Sequence, residues 1–123
     1  MALLAAQKGS SGGGINIDFS AVDAYNSSSA LASHATLSVT VTQKPRFVIV
    51  VADRTDSPYP TVYNYDVVNS KVSTIGRRKS DDVWQALDET SRMTEYFPTV
   101  SSSVVTFYNS AGVAKVVFVA CYY

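Results

Sequence analysis

Phe47-Val-Ile-Val-Val-Ala52 is apolar at every position, and the run Val116-Val-Phe-Val-Ala-Cys-Tyr-Tyr123 repeats this character at the other end of the chain. A strand with one wet face alternates polar and apolar residues, so a short run without alternation is read as a strand covered on both faces. In the last strand Val113, Val117, Val119 and Cys121 face one way, while Ala114, Val116, Phe118, Ala120 and Tyr122 face the other. One face belongs to a core. The other needs a second cover, and a neighbouring subunit supplies it more economically than a short helix does.

Outward from these two runs the pattern is that of ordinary half-buried strands. Thr36 to Gln43 place Leu37, Val39 and Val41 inward against Ser38, Thr40 and Thr42, and end at Lys44-Pro45. Thr61 to Val68 form a strand that Asn69-Ser70 turns towards Lys71 to Ile75 as a hairpin. Ser103 to Tyr108 and Val113 to Tyr123 are joined by Asn109-Ser-Ala-Gly112. Ile15, Ile17 and Phe19 alternate with polar residues and predict a further strand, residues 24 to 35 a long Ser/Asn/Ala-rich connection, and Asp53 to Pro60 a surface loop. Ser80 followed by Asp81 and Asp82 is an N-cap signal, and predicts a short helix from 81 to about 90 with Val83, Trp84, Ala86 and Leu87 near one face. The fold class expected is all-β: an antiparallel β-sandwich or related barrel with one short helix and an extended N-terminal arm. The arm is residues 1–14, ending in Gly9-Ser-Ser-Gly-Gly-Gly14, and the sandwich domain is residues 15–123.

Composition narrows the function classes. The 123 residues carry ten Lys plus Arg against ten Asp plus Glu, and charged residues make up only 16%. Zero net charge argues against a nucleic-acid partner or a membrane surface recognised through a basic field. Arg77-Arg78-Lys79 is the one basic cluster, and the aspartates at 81 and 82 offset it, so it reads as a salt-bridging loop at a subunit contact. The apolar tip Met1-Ala-Leu-Leu-Ala-Ala6 is far shorter than the ~18 residues of a spanning helix and has no preceding charge, so it reads as neither signal peptide nor anchor, and a cytoplasmic origin is expected.

Catalytic and metal chemistry find no constellation. The single histidine, His34, follows one of 17 serines, a coincidence of composition rather than a base beside its nucleophile. Cys121 sits in an apolar strand as a small hydrophobe, and one Cys with one His is too few for a structural zinc site. The acids at 81, 82, 88 and 89, with Glu95, are accounted for by helix capping and solvation, and Asp53 and Asp56 lack the spacing and glycine of a calcium loop. No catalytic, metal or cofactor residue is assigned. The candidate partner contacts are Leu3 and Leu4 on the arm, Tyr59 between Pro58 and Pro60, Arg77 and Arg78, and Val117 and Val119 on the doubly apolar strand. Eight tyrosines with Trp84 offer platforms for sugar rings or protein contacts, about half of them at the core.

The apolar-tipped arm, the Ser/Thr/Val-rich strands and the terminal Val116–Tyr123 run together resemble the small β-sandwich virion proteins of tailed bacteriophages. The resemblance is one of style, with no motif to transfer a functional residue. It implies a self-assembling tail, baseplate, fibre or head-decoration subunit, made in the host cytoplasm and located in the virion. Its partners would be copies of itself and other virion proteins, without membrane insertion. A carbohydrate- or receptor-binding module of a phage tail, with a host surface glycan as partner, is the alternative, and a small enzyme comes last. Extended, the arm reaches about 45 to 50 Å, enough to cross a domain of this size. Deleting residues 2–14 is therefore expected to weaken assembly in light scattering and leave the melting of the domain nearly unchanged.

Overall fold

The computed structural model describes residues 18–54, 60–77 and 81–123. The expected strand over Ile15 and Ile17, and the arm with Leu3 and Leu4, lie outside the described residues.

Among the described residues nine strands form two antiparallel sheets. The larger has the order β1 (Ala24–Leu31), β9 (Lys115–Tyr122), β3 (Phe47–Arg54), β4 (Pro60–Asp66), β5 (Lys71–Arg77), β6 (Trp84–Asp88). The smaller has β2 (Thr36–Thr40), β8 (Val104–Tyr108) and the two-residue β7 (Thr99–Val100). A turn of 3-10 helix at Thr90–Arg92 runs into α1 (Met93–Tyr96), the link from the first sheet to the second. This is the all-β, two-sheet architecture expected from the strand pattern.

The two apolar runs lie side by side in the interior of the large sheet, with Val48 opposite Cys121, Val50 opposite Val119 and Ala52 opposite Val117. All six are fully buried against Val39, Val105 and Phe107 of the small sheet. Val117 and Val119 therefore cannot meet a partner. The sequence reading put them on a contact surface because alternation does not say which of two apolar faces is the core.

The other face of β9 is covered by the chain itself. Phe19–Ala21 is a turn of 3-10 helix, capped by Asp18, whose Oδ1 accepts from Ser20 N at 2.9 Å. It lays the buried Phe19 ring against Phe118, with centroids 6.0 Å apart, while Tyr25 stacks on Phe19 at 4.1 Å. The case for a neighbouring subunit as the cover of this strand falls with that contact. Residues 24–35 correct a second expectation. Their first eight form β1, with Tyr25 opposite Ala120 and Ser27 opposite Phe118, because an edge strand needs only backbone groups for its ladder and leaves Asn26 and Ser29 exposed to water, although Ser27 Oγ is buried without a partner.

Residues 81–90 correct a third. Trp84–Asp88 pairs with β5, from Arg77 opposite Trp84 to Ser73 opposite Asp88. A single short helix has no packing partner there, whereas the unpaired backbone of β5 offers a ladder. The helix begins later, and Asp88 supports its entry by accepting from Thr90 N at 3.0 Å and Thr90 Oγ1 at 2.6 Å.

The sandwich is closed along one side and open along the other. Asn26 of β1 donates from Nδ2 to Ser38 O of β2 at 2.8 Å, stitching the edges of the two sheets together. At the same end Asn109, fully buried, reaches the carbonyls of Leu31, Ala32 and Val113 from its Nδ2, tying the β1–β2 and β8–β9 turns. On the far side β5 and β6 overhang the short β7, with α1 only partly filling the gap.

Phe19→Ala should expose Phe118 and lower stability by about 3 kcal/mol. Urea unfolding measures the loss, and a change under 1 kcal/mol would mean that the turn contributes little cover.

Candidate functional site

On the open side a groove of about 190 Å³ lies on the inner face of β4, β5 and β6. Its floor is two rows of the sheet: Thr61 beside Gly76 and Gln85, then Tyr63, Thr74 and Leu87. Glu89, at the start of the helical link, and Tyr96 of α1 complete the wall. Gly76 lies close to Thr61: a Cβ there would stand 3.1 Å from Thr61 Oγ1 and press that side chain aside.

Tyr63 and Tyr96 meet edge to face at 5.0 Å and are both buried, as is Tyr65 against Phe97. These three of the tyrosines that the sequence offers as platforms are core residues, of which Tyr63 and Tyr96 also line the groove. Thr74 is 7% exposed. Among the described residues, the side chains of Thr61, Thr74, Gln85 and Glu89 have no hydrogen-bonding or ion-pair partner. They carry no signal in the sequence, since Thr and Gln on a strand are ordinary surface residues until a missing second layer is known.

Behind Tyr63 stands Lys115, directly opposite Arg54 in the ladder and only 5% exposed. Its Nζ donates to Tyr63 Oη at 3.3 Å and lies 5.7 Å from the ring centroid. Burial, reinforced by the Arg54 charge, lowers its pKa to about 8. Burial also drives the Tyr63 hydroxyl well above its ordinary range, so it stays protonated.

Arg77 is half-buried, and its Nε donates to Asp82 O at 3.0 Å with Nη2 3.7 Å from Asp82 Oδ2, which closes the β5–β6 connection. Arg78 and Tyr59 lie outside the described residues. Asp53 Oδ1 is buried without a partner, and desolvation raises its pKa. Ser33 Oγ donates to Ala111 O at 2.7 Å, so its 3.0 Å contact with His34 Nδ1 has the imidazole as donor, the reverse of a base drawing off the serine proton. Cys121 is fully buried, which pushes its thiol up to about 12.

The remaining surface feature is β6, the outermost strand of the large sheet. Trp84 is 56% exposed, and Val83, Leu87 and the adjacent Ile75 of β5 are exposed with it. The Arg77 guanidinium lies 5.9 Å from the Trp84 ring centroid. No helix of the described residues is long and apolar enough to cross a membrane. No family model matches the chain, and comparison with curated proteins and with solved structures finds no match.

Lys115 yields a pH prediction. The folded protein releases this proton at about pH 8 and the unfolded chain near the ordinary value of 10.5, so the unfolded state binds more protons in between and stability rises with pH across that window. Lys115→Met, which removes the buried charge, should stabilise the fold by about 1–2 kcal/mol at pH 7. Chemical unfolding of both proteins should show the difference shrinking from pH 8 to 10.5; a pH-independent difference would contradict the burial cost.

Proposed function

We propose that the protein is a structural, self-assembling subunit of a bacteriophage virion, associated with the tail, that joins a second copy of itself through β6. The observation that carries this reading is the β6 edge: among the described residues no strand lies beyond it, and Trp84, with Ile75 on the next strand, is exposed on its outer face. Long apolar edge strands are templates for pairing, and proteins that stay monomeric blunt them. The other edges here are blunted: β1 is clasped to β2, and β7 has two residues.

A second copy is the occupant that fits. Two β6 strands antiparallel about Ala86 set Trp84 opposite Asp88 of the other copy, which also brings that carboxylate towards the Arg77 guanidinium beside Trp84. The large sheet then continues through the contact. Trp84 is the anchor, since a buried aromatic carries much of the energy of such an interface. The zero net charge of the chain puts little overall repulsion between copies. The virion and tail assignments draw their support from the resemblance in strand composition and from the two-sheet fold.

Light scattering of the full chain at micromolar concentration should give a dimer or a multiple of it. Trp84→Lys combined with Ile75→Lys should give a monomer, weakening association at least tenfold. Both residues are exposed, so the melting temperature of the monomer should be almost unchanged. A monomeric parent protein, or a variant that associates as strongly as the parent, would overturn the reading.

A further inference from the structure

The groove under β4–β6 is a different surface from the outward-facing Trp84, and its chemistry points to a ligand. Thr74 is 93% buried as a residue and lines the groove; its hydroxyl makes no side-chain hydrogen bond to protein among the described residues and stays accessible from the groove. A hydroxyl without a protein partner on such a groove bonds to water or to a ligand. Thr61 and Gln85 on the same floor and Glu89 on the wall are likewise without partners. Four side chains of mixed donor and acceptor character thus converge on one small space.

We infer that the groove binds a single neutral pyranose ring, with Thr61, Thr74 and Gln85 hydrogen-bonding its hydroxyls from the floor and Glu89 accepting from the rim. Size limits the occupant to one ring: 190 Å³ falls below the ~300–1,000 Å³ of sites for drug-sized ligands. Charge selects a neutral ligand, because the Glu89 carboxylate on the wall is balanced by Arg77, which also lines the groove and is itself bonded to Asp82. The inventory selects hydroxyls, since threonine hydroxyls and an amide each donate and accept, the carboxylate only accepts, and a sugar hydroxyl answers either need. Leu87, 42% exposed, supplies an apolar side for the C–H face of the ring. Gly76 leaves Thr61 in place, since a Cβ there would stand 3.1 Å from its Oγ1.

The test is saturation-transfer NMR on the full chain with the methyl pyranosides of glucose, galactose, mannose and N-acetylglucosamine, followed by amide shift mapping. At least one pyranoside should bind with a Kd of about a millimolar, the strength of a small ligand in an open site. Its shifts should centre on Thr61, Thr74 and Gln85. Thr74→Val is the decisive variant. The hydroxyl it removes has no protein partner, so the melting temperature should hold while affinity falls at least fivefold; Gln85→Ala should weaken binding similarly. Light scattering of the same samples separates this result from any change in assembly. Three outcomes would overturn the inference: no transfer from any pyranoside, binding unaffected by Thr74→Val and Gln85→Ala but lost in Trp84→Lys, or binding of tetramethylammonium at Glu89 with none of the sugars.

Discussion

Strand β9 is buried on both faces, and the rest of the molecule is arranged around that requirement. Its ladder partners β1 and β3 satisfy the backbone, but Val117, Val119 and Cys121 on one side and Val116 and Phe118 on the other each need a layer of their own. The small sheet supplies the first and the Phe19 turn the second. Burying one such aromatic or aliphatic side chain is worth about 1.5–3 kcal/mol, and in this strand every residue from Lys115 to Cys121 is buried. The order of the large sheet follows: β9 returns from the small sheet to a central position, and the β3–β6 meander extends away from it.

That extension produces an asymmetry. Where the two sheets have equal reach, Asn26 and Asn109 tie them together with side-chain amides bonded to backbone carbonyls. Where the large sheet runs on past β7, no strand of the described residues covers it. The same shortage of cover leaves an inner face with unpartnered polar groups at the groove and an outer edge with apolar ones at β6. The two features open in different directions from one pair of strands, so a sugar could occupy the groove while the edge is joined to another copy.

Lys115 shows what the architecture tolerates. A lysine facing an arginine across a ladder and covered by a tyrosine ring is costly in its charged form, and burial accordingly weakens its hold on a proton. It sits where the inner face of β9 meets the open side, and its bond to Tyr63 Oη helps fix the ring that backs the groove.

The class of the fold was legible in the sequence because period-two alternation and doubly apolar runs are local properties of a strand. Thr36 to Thr40, Phe47 to Ala52 and the hairpin at Asn69-Ser70 were all readable on that basis, the last with Ser70 at φ 54° and Asp66 accepting from Asn69 N at 3.1 Å. Other elements depended on partners distant in the chain. Ala24–Leu31 became a strand because β9 had a free edge, and Trp84–Asp88 because β5 did, although Ser/Asn-rich and capped-helix patterns locally favoured other conformations. Phe19 covers Phe118 from about a hundred residues away, so alternation alone could not tell an intrachain cover from a neighbour, nor which face of Val117 and Val119 was the core. The groove was invisible for the same reason. Thr61, Thr74, Gln85 and Glu89 belong to three strands and a turn, and only the unequal reach of the two sheets leaves their polar atoms together without a protein partner.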